Sequence, residues 1–441
     1  MFGWLHLSLR TMRKALVILF SLALIIPATP AQAVPNEPAY DTVSAETLWN
    51  QGFLGEGTTV ALIDQGLNPD HPYFEDRVID GVCVYTGSGE VCPNGSRYQT
   101  GVQAASQKRV LGLLDQSQDH GNMTAGIVAG KPNNQAPGGI APESKILMAN
   151  TDFYPESIVQ ILDYIYDKRE EHNIVALSMS FGVFAINSRE DLLSCATNQV
   201  YADVRDRLNK LRGVGIIPFA ASGNGYNLNS AENWAPTCLE EAVSVGSINT
   251  DNEVSIYTTM SDKVELLAPD YTRSANTYSY RTASGTSAAT PLVAGAYALL
   301  RQKYPDFTAQ QILNAMKNGG TPIDDVIIKG TPALNLEGAD YLLQDLLGDA
   351  DQTEETTEEE DLEKKITVGT FNGFIAIFTR GYEGQKLSAK VAGKWLVQDP
   401  IENYKNFDYS RVTRNTGAGF DIRVDLYIDG EFVRTENVTT R

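Results

Sequence analysis

Apolar runs of strand length alternate with amphipathic stretches along the first three quarters of the chain. The stretches from Glu156 to Glu171 and from Ala202 to Arg212 have the spacing of helices. The apolar runs are TTVALID (58–64), KILMAN (145–150), IVALSMS (174–180), GIIPFAAS (215–222) and EAVSVGSI (241–248). Because strand-like and helix-like segments alternate, the pattern predicts an α/β fold whose parallel sheet is covered by helices on both faces.

The pattern changes abruptly after residue 348. Residues 349–365 contain nine acids and two lysines with almost nothing to bury, so we interpret them as a self-repelling, extended linker. Short alternating runs fill residues 366–441, and Asp429-Gly430 between the last two is a strong hairpin signal. We therefore predict an α/β domain over residues 34–348, followed by the linker and a small, β-sandwich-like all-β domain.

The first 33 residues have the pattern of a secretory signal. Basic residues between Arg10 and Lys14 precede an apolar run over residues 15–26, and an Ala-x-Ala cleavage site ends at Ala33. A retained transmembrane helix is the alternative, but that run is shorter than the ~20 residues that span a bilayer. We expect cleavage after Ala33 and an extracellular protein, in solution or associated with the cell surface.

Four cysteines lie beyond the expected cleavage site: Cys83, Cys92, Cys195 and Cys238. An even number in an exported chain favours two disulfides, and three pairings are open. We favour Cys83–Cys92, which closes a short Gly-rich loop, together with Cys195–Cys238; free buried thiols are the alternative. No CxxC pair is present, so the sequence gives no support for redox or zinc chemistry.

Charge and histidine content narrow the function classes. The 35 basic and 55 acidic residues give a formal charge of −20, which argues against a nucleic-acid partner because phosphates are met by a basic face. Of the four histidines, His6 leaves with the signal and His71 lies in a proline-flanked turn. His172 follows a charged segment and is expected to be exposed. His120 remains as the candidate proton carrier.

Two segments place a carboxylate and an imidazole at element ends. Asp64 follows an apolar run and precedes a glycine turn, so it would lie at the carboxyl end of a strand, where α/β folds build sites. An ordinary turn aspartate is the alternative. His120 opens DHGNMTAGIVAG, whose small residues allow a helix to pack closely; a capping or core histidine is the alternative.

A third segment, SGTSAATPLVAG, places a hydroxyl at the start of a helix. Ser287 follows Gly285-Thr286, and Pro291 is acceptable if the helix begins near Ser287, because the first four helical N–H groups have no intrahelical partner. The Ser287 hydroxyl would then lie at the positive end of the helix dipole. An N-cap serine is the alternative.

Together these three segments resemble the motifs of the subtilases, the subtilisin-like serine proteases, in the chain order Asp, His, Ser. The resemblance covers roughly residues 40–345. It implies a subtilisin-like fold and a serine endopeptidase that forms an acyl-enzyme on protein or peptide substrates. Ser287 would be the nucleophile and His120 the general base and then acid, while Asp64 would hold the imidazole tautomer.

The same resemblance implies further site residues. Asn224 in FAASGNGYN would donate to the oxyanion alongside the Ser287 backbone N–H. Ser180, Phe181 and Gly182 in SMSFG would contact the substrate backbone and edge its pocket. For Asn224 the alternative is an ordinary Gly-Asn-Gly turn. For the SMSFG segment the alternative is an interior strand. No cofactor is implied for catalysis and no metal site is indicated; structural calcium is frequent in the family, but no compact ligand loop supports it here.

The sequence departs from the usual subtilase pattern at Gln65, Asn122 and Thr290, none of which is a member of the proposed triad. A non-catalytic surface protein that binds partners on a protease scaffold is the competing function, because a fold alone does not establish activity. For residues 366–441, attachment to the cell envelope or to a protein partner competes with a spacer or stabilising role.

Overall fold

The computed structural model describes residues 37–351, apart from 88, 111–112, 116–118, 185–198, 226–233 and 326–329, together with the strands between Lys365 and Thr439. The predicted signal peptide and residues 352–364 lie outside the described residues. The α-helices of the described part are α1 (Pro38–Thr42), α2 (Glu46–Trp49), α3 (His120–Ala129), α4 (Pro155–Lys168), α5 (Ala202–Gly213), α6 (Thr286–Lys303), α7 (Ala309–Asn318) and α8 (Leu336–Asp351).

Sixteen strands are described before residue 351, and most of them belong to one sheet. They are β1 (Thr59–Asp64), β2 (Val78–Val84), β3 (Tyr98–Thr100), β4 (Arg109–Val110), β5 (Leu113–Leu114), β6 (Lys145–Thr151), β7 (Ile174–Met179), β8 (Val183–Phe184), β9 (Ile217–Ala221), β10 (Trp234–Ala235), β11 (Val243–Ile248), β12 (Val264–Pro269), β13 (Arg273–Ala275), β14 (Tyr280–Thr282), β15 (Thr321–Ile323) and β16 (Thr331–Ala333).

The main sheet has ten strands in the order β15-β16-β12-β11-β9-β7-β1-β6-β2-β3. Every neighbouring pair from β16 to β2 is parallel, and β15 and β3 join the two edges in antiparallel orientation. The α/β fold with a mostly parallel, helix-covered sheet is therefore confirmed. All five apolar runs are strands of this sheet, and β2, β12 and β16 are three further parallel strands that the apolar pattern did not identify.

Both faces of the sheet are covered, which explains why its strands are continuously apolar rather than alternating. In β1, Val60 and Leu62 belong to the core that packs against α3 and α6. Ala61 and Ile63 point to the opposite face and belong to the core built with α4 and α5. The carboxyl end of β1, which carries Asp64, is thus held from both sides.

The segment that precedes β1 packs on the α/β core. The buried Tyr40 hydroxyl donates to the carbonyl of Gly138 at 2.6 Å, and the Trp49 indole N–H donates to the carbonyl of Ile140 at 2.8 Å. Both acceptors lie in the chain that connects α3 to β6, so α1 and α2 brace the connection that follows the His120 helix.

The region after residue 351 contains two four-stranded antiparallel sheets. Their orders are β17-β18-β22-β21 and β20-β19-β23-β24. The strands are β17 (Lys365–Phe371), β18 (Phe374–Arg380), β19 (Lys386–Val391), β20 (Lys394–Pro400), β21 (Glu402–Tyr404), β22 (Phe407–Ser410), β23 (Asp421–Ile428) and β24 (Glu431–Thr439). Ile428 pairs with Glu431 across the predicted Asp-Gly turn, whose two residues lie outside the described part.

Helix α8 overlaps the first residues of the predicted linker. Helix α8 continues to Asp351, so the first residues assigned to the linker are helical. Leu343 is fully buried and Leu346 packs against the same core, so apolar contacts of the preceding turns carry the helix into the acidic segment. Within the predicted β domain, β21 and β22 are short, with the sequences ENY and FDYS.

Candidate active site

Asp64 ends β1 with a buried carboxylate that accepts several hydrogen bonds. His120 Nδ1 lies 3.0 Å from Oδ1 and 2.9 Å from Oδ2, and the Thr124 hydroxyl donates to Oδ2 at 3.0 Å. The backbone N–H of Gln65 donates to Oδ1 at 2.8 Å. Because an ionised carboxylate can only accept, the proton of the His120–Asp64 bond lies on Nδ1. The imidazole is therefore held as the tautomer that leaves Nε2 free to accept a proton.

The side chain of His120 is 33% exposed, whereas that of Asp64 is 3% exposed. Burial lowers the pKa of His120. The negative charge of Asp64 and the hydrogen bond to it together raise this pKa by more than burial lowers it, so the net shift is upward from 6.5. The pair therefore stabilises an imidazolium at His120, which is the charge state that a general base reaches after it has taken a proton.

The N-terminus of α3 approaches the turn after Asp64 closely. A Cβ on Gly121 would lie 2.1 Å from the carbonyl oxygen of Gly66, so any other residue would push the helix away. The fully buried Asn122 accepts a hydrogen bond from the backbone N–H of Asn68 at 2.7 Å. Asn122, one of the positions that differ from the usual subtilase pattern, thus connects the His120 helix to the turn that follows Asp64.

Helix α6 begins at Thr286, one residue before Ser287. Of the backbone N–H groups from Gly285 to Ala288, all except that of Ser287 donate a hydrogen bond in the described part of the chain. The N–H of Gly285 donates to the Tyr257 hydroxyl at 3.0 Å, that of Thr286 to Asn224 Oδ1 at 3.0 Å, and that of Ala288 to the carbonyl of Gly285 at 2.8 Å. Within the described residues the Ser287 N–H has no acceptor. This donor points out of the positive end of a helix and is available to an anion.

Pro291 lies inside α6 rather than in its first turn, so the sequence argument for its position was wrong. Its missing N–H would otherwise bind the carbonyl of Ser287. The Ser180 hydroxyl replaces it and donates to that carbonyl at 3.0 Å. In return, the Ser287 hydroxyl donates to the carbonyl of Ser180 at 3.2 Å. Ser180 and Ser287 therefore hold each other in place, and within the described residues no hydrogen bond joins Ser287 to His120.

Asn224 follows β9 and faces the start of α6. Its Oδ1 accepts from the N–H and from the hydroxyl of Thr286, at 3.0 and 3.1 Å. These two bonds fix the orientation of the amide, so Nδ2 is its donor group, and it has no acceptor among the described residues. Asn224 and Ser287 both line one cavity of about 270 Å³, together with Ser180, Phe181, Gly182 and Trp234. The structure thus brings the predicted oxyanion and substrate residues to one site.

Residues 55–339 match the model of the Subtilase family. The chain therefore belongs to the subtilase family. It is 27% identical over 298 residues to the intracellular serine protease of Paenibacillus polymyxa, covering 64% of this chain and 81% of that protein. It is 25% identical over 319 residues to subtilisin DY of Bacillus licheniformis, covering 70% of this chain and 99% of the relative.

A third relative, the minor extracellular protease Epr of Bacillus subtilis, is 29% identical over 285 residues. That alignment covers 63% of this chain but 37% of Epr. Among solved structures, a cold adapted subtilisin-like serine proteinase aligns with a TM-score of 0.48 and 22% identity, over 64% of this chain and 90% of that one.

Within the described residues, no helix is long and apolar enough to cross a membrane.

Trp234 is a lining residue of this subtilase that sequence reasoning missed. It lies in β10, which pairs with β8, and a Cβ on Gly182 would lie 3.1 Å from its ring atom Cε3. The Trp234 ring therefore packs beside Gly182 and forms part of the cavity wall. The sequence around Trp234 gives no local signal for this role, because the contact depends on the pairing of β10 with β8, which lie far apart in the chain.

The other two histidines of the described residues have structural contacts. Burial lowers the pKa of His71, whose Nδ1 accepts from the N–H of Tyr73 at 3.1 Å. His172 was expected to be exposed, and this expectation was wrong. Its side chain is 14% exposed and its Nε2 lies 3.0 Å from Asp80 Oδ2, which also accepts from the Tyr164 hydroxyl at 2.7 Å. The subtilase thus contains a second imidazole bound to a buried carboxylate, away from Ser287.

Cys83 and Cys92 form the predicted disulfide, with Cα atoms 5.8 Å apart. Cys238 is also disulfide-bonded, and Cys195, its predicted partner, lies outside the described residues. In the part of the chain that the structure describes, no group of three or more His, Cys, Asp or Glu side chains could hold a metal ion.

Proposed function

We propose that this subtilase is a secreted serine endopeptidase that hydrolyses peptide bonds through an acyl-enzyme on Ser287. The observation that carries the proposal is a pair of donors that have no acceptor among the described residues, Ser287 N–H and Asn224 Nδ2, at the cavity that Ser287 itself lines. Export is inferred from the N-terminal pattern, since the similar proteases include one named intracellular and one named extracellular.

The catalytic steps follow from the geometry of the site. The Ser287 hydroxyl turns from the Ser180 carbonyl towards His120 when substrate binds, because catalytic hydrogen bonds often tighten only in the complex. His120 Nε2 takes the hydroxyl proton while Oγ attacks the scissile carbonyl, and Asp64 stabilises the imidazolium. Ser287 N–H and Asn224 Nδ2 bind the developing oxyanion; one such donor contributes about 3 kcal/mol.

Collapse of the tetrahedral intermediate breaks the C–N bond, and His120 gives its proton to the leaving amine. His120 then takes a proton from water as the water attacks the acyl-enzyme. When the bond from the acyl carbon to Ser287 Oγ breaks, His120 returns that proton to Oγ, which releases the acid product and restores Ser287. Ser180, Phe181 and Gly182 lie just beyond the end of β7, where a substrate strand can pair with exposed backbone. Each step uses side chains and backbone of this chain.

Fluorophosphonate labelling tests the proposal against a non-catalytic binding function. We expect the folded wild-type protein to be labelled at one residue, Ser287, because only a serine activated by a base and an oxyanion site reacts readily. Ser284 lies three residues away, is exposed and provides the matched control. Mass-spectrometric fragmentation should locate the label on Ser287, Ser287→Ala should abolish labelling, and Ser284→Ala should leave it unchanged. No label on folded wild type would favour the binding function.

The cavity also predicts a preference for small side chains before the scissile bond, because Trp234 occupies its wall. We expect Trp234→Gly to raise kcat/KM for a large aromatic residue at that position relative to alanine by about 10-fold or more. Trp234→Phe should give an intermediate ratio. The ratio is measured with a matched series of chromogenic peptides; an unchanged ratio in both variants would show that Trp234 does not limit the pocket.

A further inference from the structure

The segment between β11 and β12 contacts both halves of the proposed oxyanion site. The N–H of Thr259 donates to the carbonyl of Gly223, and the Thr259 hydroxyl accepts from the N–H of Gly225, both at 2.9 Å. These bonds bracket Asn224. Two residues earlier, the Tyr257 hydroxyl accepts from the N–H of Gly285 at 3.0 Å. One short segment therefore holds the residues on either side of the amide donor and the turn before Ser287.

Tyr257 is itself held by a buried carboxylate. Asp270 follows the last residue of β12 and is 5% exposed. Its Oδ2 accepts from the Ser255 hydroxyl at 2.7 Å and also from the Tyr257 hydroxyl. Since the carboxylate can only accept, the Tyr257 proton points to Asp270 and an oxygen lone pair is left for Gly285. Burial and the hydrogen bond to Asp270 raise the pKa of Tyr257 above 10.0, so this arrangement persists at neutral pH.

The Gly285 peptide decides where α6 starts. Gly285 has φ +93°, a left-handed conformation that favours glycine, and it is the N-cap of the helix. Its N–H is bound by Tyr257, and the next N–H is bound by Asn224. The following residue is Ser287, whose N–H and hydroxyl are the groups that the proposed reaction uses. A shift of the Gly285 peptide would therefore move both groups.

We propose that Tyr257, oriented by Asp270, is a positioning residue that fixes the Gly285 peptide and thereby aligns the Ser287 N–H and hydroxyl for acyl transfer. The proposal rests on the peptidase function proposed above. Tyr257 acts through backbone that carries the nucleophile, and it is not among the residues that line the described cavity. Its loss should therefore affect the chemical step much more than substrate binding.

Tyr257→Phe tests this directly, because it keeps the ring and removes only the hydroxyl. We expect kcat to fall about 10- to 10²-fold, the size of effect that small misplacements of reacting groups produce, with KM nearly unchanged. The rate of fluorophosphonate labelling should fall in parallel. Tyr297→Phe is the matched control, because the Tyr297 hydroxyl is buried in α6 and has no hydrogen-bond partner within the described residues. It should leave kcat and labelling rate unchanged.

A second variant separates positioning from general destabilisation. Asp270→Ala should lower kcat to a similar degree, and the double variant with Tyr257→Phe should be no slower than the slower single variant, since both act through one bond to Gly285. Unchanged kcat in Tyr257→Phe, a change in KM alone, or additive losses would overturn the proposal. Loss of activity that merely follows the unfolded fraction, measured by circular dichroism, would also overturn it. Wild-type labelling is checked first, because its absence would refute the peptidase function rather than this inference.

Discussion

Replacing His120 by alanine is expected to lower kcat for peptide hydrolysis by about 10⁶-fold, with a folded protein and little change in KM. Its Nδ1 is bound to Asp64 and its Nε2 is the nitrogen left to take the Ser287 proton. Without a base, the hydroxyl must attack while still protonated, and the oxyanion donors alone supply the residual rate. The measurement is kcat and KM on a chromogenic peptide.

His172→Ala provides a chemically matched control. It removes another imidazole bound to a buried carboxylate, Asp80, in a contact that also includes Tyr164. We expect this variant to unfold at a lower temperature, because Asp80 keeps a buried charge with fewer donors, but to retain kcat when rates are corrected for the folded fraction. Equal loss of kcat in the two variants would show that His120 acts through stability rather than as a base.

The features that could be predicted from the sequence are those that depend on residues close together in the chain, namely strand positions and the motifs around the candidate triad. Five strands of the sheet could be placed from their apolar runs, because strands buried on both faces are continuously apolar. Strand β12 was missed because Glu265 interrupts its apolar run. The candidate triad residues each lie at the end of an element, within short segments of glycine and other small residues. Gly121 shows why small residues occur there. A larger residue at this position would collide with Gly66, so the close approach that positions His120 requires a glycine that the sequence shows directly after the histidine.

The contacts that orient these residues could not be predicted, because their partners are far apart in the chain. Ser180 and Ser287 are 107 positions apart and exchange two hydrogen bonds, one of which compensates for Pro291. We expected His172 to be exposed because KREEH is charged, yet its side chain is 14% exposed and contacts Asp80, 92 residues earlier. Local polarity describes a segment, whereas burial depends on what the rest of the fold places against it.

The role of Asp64 in setting the His120 tautomer leads to the second large expected effect. In Asp64→Asn the new amide presents an N–H₂ as well as a carbonyl, so the imidazole can turn to the tautomer with its proton on Nε2, where it cannot act as a base. We expect kcat to fall about 10⁴-fold. Asp80→Asn, the equivalent change in the His172 pair, should alter stability but leave kcat within a few-fold of wild type, about the spread of ordinary surface variants.

The pH dependence distinguishes this electrostatic role from simple loss of structure. Only neutral imidazole accepts the Ser287 proton, so wild-type kcat/KM should be full above the His120 pKa and fall as the pH drops through it. Because Asp64 raises that pKa above 6.5, the acidic limb should lie above 6.5 in wild type. Removing the carboxylate charge should move the limb of the residual Asp64→Asn activity to lower pH, whereas Asp80→Asn should keep the wild-type limb. A limb that stays in place in Asp64→Asn would mean that Asp64 does not set the protonation of the base.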